Sequence, residues 1–144
     1  GGMIGENLPK TIGPDLDGSY GQIAGSQGNG IETFTKMAEA AGFDGTSPYA
    51  PEAYDAAALL MMAMQAAGST DPADYKDKIL DVANAPGEMI YPGELGKAFE
   101  LIKAGKDVDY VGASAVELIG PGESAGTYRM IEVKDGKNET IGFK

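Results

Sequence analysis

The sequence predicts an α/β fold in one domain spanning residues 1–144, with a β-hairpin at its C-terminal end. Helical patterns alternate with short β-prone runs in the first part of the chain, and a long apolar helix is predicted over residues 51–67. After Asp109 the β-prone runs dominate. This order is typical of a sheet that is covered by helices, and the chain is long enough to bury a hydrophobic core.

The chain opens with a short helix or turn within residues 3–11 and a turn at residues 14–18, where Pro, Asp and Gly cluster. Residues 19–24 form the first predicted strand. Residues 25–30 are rich in glycine and precede a helix, which is the place of a phosphate-binding loop in some folds. The spacing matches neither G-x-G-x-x-G nor a Walker Lys-Ser/Thr pair, so a plain loop is predicted.

Residues 31–41 carry apolar side chains at helical spacing and are followed by Gly42, which predicts an amphipathic helix against one face of a sheet. The next segment, residues 43–50, is rich in turn-forming residues. It places Tyr49 directly before the long apolar helix. We therefore expect an aromatic side chain at the N-terminal end of that helix.

The long apolar helix has clear start and stop signals. Pro51 suits the first helical position, Glu52 and Asp55 place negative charge at the positive end of the helix dipole, and Gly68 supplies a left-handed stop. Between residues 56 and 67 only Gln65 is polar, so this helix is expected to be buried around most of its circumference, with Leu60 in the core. It is too short and too rich in alanine for a membrane span.

The rest of the chain is predicted to add two covering helices and several strands. The stretch Ser69-Thr-Asp-Pro-Ala is a good capping sequence for a helix that continues to Asn84. The remaining predicted elements are an extended piece at residues 89–91, a helix at 94–104, and strands at 110–113, 116–119, 127–133 and 139–143. Asp135-Gly136 between the last two strands predicts a tight hairpin turn.

Composition excludes some classes of function. A net charge of -11 argues against binding nucleic acid or anionic membrane surfaces, since both need clustered basic side chains. The sequence has no Cys and no His, which removes disulfides, most zinc sites and the usual general base of a nucleophilic enzyme. We expect no catalytic residues, no metal and no cofactor. The enzyme alternative that remains is a carboxylate pair, Glu52 with Asp55, on a solvated first turn.

Four motifs, in this order and at these separations, resemble the C-terminal part of the type I periplasmic binding proteins that serve branched-chain amino acid ABC transporters. The motifs are Tyr-Asp-Ala-Ala-Ala at 54–58, Ala-Gly-Ser-Thr-Asp-Pro at 67–72, Asp-Tyr-Val-Gly-Ala-Ser at 109–114 and Ala-Gly-Thr-Tyr-Arg-Met-Ile-Glu-Val-Lys-Asp-Gly at 125–136. The resemblance runs nearly end to end. One departure is Leu-Ile-Gly-Pro-Gly-Glu at 118–123, where the family has a Phe-Asp…Gly-Asp turn.

The resemblance implies a three-layer sheet-and-helix lobe, and a parent protein in which two such lobes close on a small solute. An N-terminal lobe is then expected before Gly1, and docking on an ABC permease and a periplasmic or extracytoplasmic location are implied. No signal peptide is recognised in Gly-Gly-Met-Ile at the start of this chain. The implied ligand is a branched-chain or related amino acid. A ligand-sensing domain of a regulator or receptor, or a site for another carboxylate or aromatic solute, are the alternatives.

The same resemblance nominates three ligand-binding residues. Tyr49 matches an aromatic residue that walls the family's ligand cleft, although it could instead pack on its own loop. Glu52 lies at the same helix end, where a role on the helix dipole is the competing interpretation. The family's acid, followed by Gly, binds the ligand's ammonium group, and its place is expected near Gly1-Gly2-Met3, where no acid stands.

Overall fold

The structure is a computed structural model that describes residues 7–120 and 122–144. It mixes α-helices and β-strands, so the predicted α/β class is confirmed. The described residues divide into two compact units, one formed by 7–26 with 127–144 and the other by 27–120 with 122–126. Length and composition did not predict this division.

The elements follow the predicted order closely. The helices are α1 (Asn7–Ile12), α2 (Asn29–Ala40), α3 (Ala50–Ala67), α4 (Pro72–Tyr75), α5 (Ile79–Ala83) and α6 (Leu95–Lys103), with short 3-10 helices at Gly13–Leu16 and Lys76–Lys78. The strands are β1 (Tyr20–Ala24), β2 (Glu88–Ile90), β3 (Val108–Tyr110), β4 (Glu117–Gly120), β5 (Glu123–Ala125), β6 (Tyr128–Lys134) and β7 (Lys137–Phe143).

The first unit is built on an antiparallel sheet in the order β1-β6-β7. Strands β6 and β7 form the predicted hairpin, with Asp135 (φ 50°) and Gly136 (φ 70°) in its turn. Two successive left-handed residues match the right-handed twist of paired strands, which is why Asp-Gly is favoured there. Ile23 of β1 and Ile131 of β6 are the buried side chains of this sheet.

The second unit is built on a parallel pair of strands, β2 and β3, connected by α6. Helix α3 packs against α5 and α6 over these strands. The buried cluster that results consists of Ala58, Leu59, Met62, Ala63, Val82, Ala83, Ile90, Ala98, Val108 and Tyr110. Burial of this apolar cluster is the main favourable contribution to the folding free energy of this unit.

Helix α3 begins and ends where the sequence predicts. Tyr49 precedes it in a left-handed conformation (φ 66°), and Gly68 ends it with φ 65° while its N–H donates to the carbonyl of Gln65. The prediction of burial around most of its circumference, with Leu60 in the core, is wrong, because Leu60 is 39% exposed and Met61 is 43% exposed. In the described chain α5, α6 and the parallel strands cover one side of the helix only.

The helix predicted between Ser69 and Asn84 is interrupted. It forms α4, the second 3-10 helix and α5 in succession, although its cap is as predicted: the Asp71 carboxylate accepts a hydrogen bond of 2.9 Å from the N–H of Ala73. Strand β5, which pairs with β4, was not predicted. No helix among residues 7–120 and 122–144 is both long enough and apolar enough to cross a membrane.

Candidate functional site

The start of α3 is fastened to the segments that follow β2 and β3. The Tyr54 hydroxyl accepts a hydrogen bond of 3.1 Å from the N–H of Gly93, three residues after the end of β2. The next residue, Asp55, reaches the segment after β3. In α/β folds, ligands commonly bind at the carboxyl ends of parallel strands. The candidate site therefore lies where α3 begins, beside these two strand ends.

Asp55 is the centre of a hydrogen-bond cluster and is 1% exposed. Its Oδ1 accepts from the Tyr110 hydroxyl at 2.8 Å and from the N–H of Ala113 at 2.8 Å. Its Oδ2 accepts from the N–H and the hydroxyl of Ser114, at 2.7 Å and 2.6 Å. The carboxylate thus holds the turn after β3 against the first turns of α3.

Four donors replace the water that this carboxylate loses on burial, which is the condition for keeping a charged group inside a protein. The cluster also acts on its neighbours. Burial, together with the adjacent Asp55 carboxylate, raises the pKa of the Tyr110 hydroxyl. Tyr110 therefore stays a neutral donor to Asp55.

The interpretation of Asp55 as a solvated carboxylate on the helix dipole is wrong. Asp55 is buried, and each of its two oxygens already accepts two hydrogen bonds. It is therefore not the solvated partner of Glu52 that a catalytic carboxylate pair would need. A signal for this was present in the sequence: Asp55, Leu59 and Met62 are spaced i, i+4 and i+7, so they share the face of α3 that is buried. An acid on the apolar face of a helix requires polar partners.

Two glycines make the close approach around this cluster possible. A Cβ on Gly112, which has φ +64°, would overlap the Asp55 carboxylate and the Tyr110 ring. A Cβ on Gly30, in the first turn of α2, would overlap the carbonyl oxygen of Gly112. Gly30 is the last residue of the glycine-rich stretch 25–30, and its role is close packing against the turn after β3. This agrees with the sequence, in which the glycine spacing does not match a phosphate-binding loop.

Helix α2 joins the same region through aromatic contacts. The ring of Phe34 lies 5.2 Å from the ring of Tyr54 and 6.3 Å from the ring of Phe43, measured between centroids. These separations are typical of favourable aromatic pairs. The connector between α2 and α3 is thereby held near the start of α3.

Tyr49 lies at the end of that connector, 50% exposed. Upstream, the Asp44 carboxylate accepts from the hydroxyl and the N–H of Thr46, at 2.6 Å and 2.8 Å. These bonds lower the pKa of Asp44. Tyr49 itself has a left-handed backbone (φ 66°) and remains half exposed. Its position at the helix start is as predicted, and its role in ligand binding stays a prediction.

Glu52 lies in the first turn of α3, as predicted. Its Oε2 is buried and has no hydrogen-bond partner among the described residues. The role of Glu52 in ligand binding stays a prediction. Met3, the third nominated residue, lies outside the described residues, as does the expected position of the family's acid near Gly1-Gly2-Met3.

Sequence reasoning also missed the hydrogen-bonded side chain that fixes β4. Asn84 donates from its amide nitrogen to the carbonyl of Leu118 at 2.6 Å and accepts from the N–H of Leu118 at 3.0 Å. An asparagine that donates to and accepts from one residue imitates a neighbouring strand. These two bonds connect β4 to the end of α5. No sequence pattern predicts a contact between residues so far apart in the chain.

The buried polar groups at the start of α3 bind one another, and the described residues offer few groups for chemistry. Within residues 7–120 and 122–144, no group of three or more acidic side chains is placed to hold a metal ion. The Ser114 hydroxyl donates to a carboxylate that has already accepted three other bonds. Two aromatic residues of the connector, Phe43 and Tyr49, are half exposed in this region.

No protein-family model matches the chain, and no solved structure does. A stretch of 94 residues is 34% identical to the chemotactic signal transduction system substrate-binding protein BasB of Halobacterium salinarum. The match covers 65% of this chain and 23% of that relative. The matched stretch thus accounts for about a quarter of the length of a curated protein that is named for substrate binding.

Proposed function

We propose that this chain binds a small solute as one part of a larger substrate-binding protein, and that it carries out no catalysis. The similarity to a protein named as substrate-binding supports the class. The observation that carries the proposal is Tyr49, half exposed and held in a fixed backbone conformation where α3 begins. A half-exposed aromatic side chain suits one wall of a ligand cleft, since cleft walls are largely apolar.

The finer proposal follows the resemblance described above. The parent protein would hold a branched-chain or related amino acid between two lobes, and this chain would be mainly the later portion of the second lobe. It would deliver the solute to an ABC permease outside the cytoplasm. The match to only 23% of the relative's length is compatible with such a larger parent.

A second candidate is ligand sensing, because the relative's name places it in a chemotactic signal transduction system. The same solute site would then report occupancy to a signalling partner instead of a permease. Pull-down from membranes of the source cells, with and without solute, separates the two. Recovery of a permease supports import, and recovery of a transducer supports sensing.

The acid that would bind the solute's ammonium group can be sought within the described chain. The resemblance asks for an acid followed by Gly, and the described Asp-Gly pairs are at 17–18, 44–45 and 135–136. Asp44 is bound to Thr46, and Asp135 forms the hairpin turn. Asp17, three residues before β1, is exposed, and its Oδ1 accepts a hydrogen bond of 3.1 Å from the N–H of Gly136. All three acids thus have local partners or a turn role, and the place that the resemblance gives to the ammonium-binding acid stays near Gly1-Gly2-Met3.

Replacement of Tyr49 in the complete parent protein tests the site. Tyr49→Ala should weaken solute binding by roughly tenfold, because several tens of Å² of apolar contact at ~25 cal/mol per Å² amount to on the order of 1 to 2 kcal/mol. Calorimetric titration gives the dissociation constant. Tyr49→Phe is the matched control and should retain most of the affinity, since it keeps the aromatic wall.

The melting temperature of the same variants separates a binding role from a packing role. If Tyr49 only packs on its own loop, Tyr49→Ala lowers the melting temperature and leaves the dissociation constant unchanged. That result would remove Tyr49 from the site. The 144-residue chain alone should bind leucine much more weakly than the complete parent, since half of the cleft is absent, and micromolar binding by the chain alone would contradict the two-lobe proposal.

A further inference from the structure

An apolar groove lies on the second unit, away from the start of α3. It has a volume of about 650 Å³ and is formed by α3, α5 and the β4-β5 hairpin. Leu59 and Leu60 of α3, Ile79 and Leu80 of α5 and Leu118 of β4 supply its apolar lining. This volume lies in the range of small-molecule sites, and the lining is of the kind that such sites have.

The groove is partly preformed. Leu59 is 6% exposed and forms part of the hydrophobic core, so the lining at this point is anchored. The side of β4 is held by the two hydrogen bonds between Asn84 and Leu118. Leu60 and Leu80, by contrast, are 39% and 38% exposed and leave apolar surface uncovered. An occupant would therefore bury leucine surface without having to order the backbone around it.

Charged side chains of the lining indicate the chemistry of the occupant. Asp77 comes from the 3-10 helix on one wall and Glu123 from β5 on the other, with Lys76 beside Asp77. Among the described residues, the ion pairs involve none of these three side chains. A carboxylate on each wall, in a chain with net charge -11, favours a cation over an anion. The Lys76 stem can keep its ammonium group in water.

We propose that this groove binds an apolar organic cation, a hydrocarbon body that carries one protonated amine. The body lies on the leucines, and the ammonium group lies between Asp77 and Glu123. This site is separate from the solute site at Tyr49 and does not depend on it.

Titration of the 144-residue chain with three six-carbon probes tests the proposal. The probes are n-hexylammonium, n-hexanol and n-hexanoate, which share one apolar body and differ in head-group charge. Binding is followed through the methyl resonances of Leu59 and Leu80 in carbon–proton NMR spectra. We expect n-hexylammonium to bind roughly threefold more tightly than n-hexanol, since exposed ion pairs contribute modestly, and n-hexanoate to bind most weakly.

Three substitutions locate the interaction. Asp77→Asn and Glu123→Gln should each reduce the preference for the amine and leave the affinity for n-hexanol unchanged. Leu80→Ser should weaken the binding of all three probes. The matched control is Glu139→Gln, which neutralises an exposed carboxylate on β7 in the other unit and should change none of the affinities.

Several outcomes overturn the proposal. Equal binding of the amine and the alcohol, an unaltered amine preference in both charge variants, or the absence of saturable shifts at the two leucines would each do so. An equal effect of Glu139→Gln would show that net charge alone attracts the amine. Asp77 and Glu123 are exposed, so their variants remain folded and interpretable even if Leu80→Ser proves unstable.

Discussion

A carboxylate buried at the start of an apolar helix would destabilise the protein unless polar groups replaced its lost water. At Asp55 the replacement is complete, because each oxygen accepts two hydrogen bonds. Hydrogen bonds to a charged group are stronger than those between neutral groups. Removing the charge would also leave donors of Tyr110, Ala113 and Ser114 buried with fewer acceptors.

We expect Asp55→Asn to lower the free energy of unfolding by at least about 3 kcal/mol. The amide keeps one acceptor oxygen and points its NH₂ group at existing donors, so two or more hydrogen bonds are lost in a buried place. Urea unfolding measures the change. The control is Asp107→Asn, an exposed aspartate of the same unit, and a loss within about 0.5 kcal/mol of that control would show that Asp55 is dispensable.

At the scale of elements, the contact between α3 and the turn after β3 depends on glycine. Gly112 and Gly68 have almost the same positive φ, +64° and +65°. A Cβ on Gly68 would meet nothing within 4 Å, whereas one on Gly112 would enter the Asp55 cluster. The pair therefore separates backbone strain from steric overlap.

Gly68→Ala should cost about 1 kcal/mol, the price of a left-handed residue with a side chain. Gly112→Ala should cost at least about 2 kcal/mol more, because the added methyl group displaces Asp55 or Tyr110. Thermal unfolding of both variants provides the comparison. Equal losses would mean that the turn after β3 can move away from α3 without penalty.

Local signals were sufficient for most elements of the fold. Pro51 and Gly68 marked the ends of α3, Asp71 marked the cap of α4, and Asp135-Gly136 marked the hairpin. Each is a preference of a few neighbouring residues for one backbone conformation, which a sequence displays directly. These predictions required no knowledge of distant contacts.

The predictions that failed depended on distant contacts. Whether Leu60 is buried depends on which side α5 and α6 cover, and the composition of α3 cannot reveal this. The partners of Asp55 and of Asn84 lie far along the chain. Of the candidate site, sequence could place Tyr49 at the start of α3 and Asp55 on the buried face of that helix, but it could not identify the distant donors that hold the Asp55 carboxylate.

Considered as a whole, the molecule carries 22 acidic and 11 basic side chains. Its ion pairs among the described residues include Lys97 with Glu88 at 2.8 Å and with Glu94 at 3.7 Å. The first of these lowers the pKa of Glu88. Such exposed pairs contribute little, and the excess of like charge opposes the compact state.

Salt should therefore stabilise this protein. Raising NaCl from about 0.02 M to about 0.5 M shortens the screening length and weakens repulsion among the carboxylates, and we expect the melting temperature to rise by on the order of 4 °C, equivalent to about 1 kcal/mol. Scanning calorimetry measures this rise. Neutralising Glu39 and Glu139 together should reduce the response to salt, and a melting temperature that falls with salt would refute the expectation.

The Asp55 cluster has a further consequence, which concerns the order of folding events. Its partners lie 55 to 59 positions away along the chain, so the helix can form its own hydrogen bonds long before the carboxylate finds donors. Until α6 and β3 have formed, the Asp55 carboxylate remains hydrated, and this face of α3 remains exposed to solvent. We therefore expect substitutions at Asp55 to accelerate unfolding far more than they slow folding in stopped-flow measurements, because the turn after β3 closes over the helix as one of the last steps.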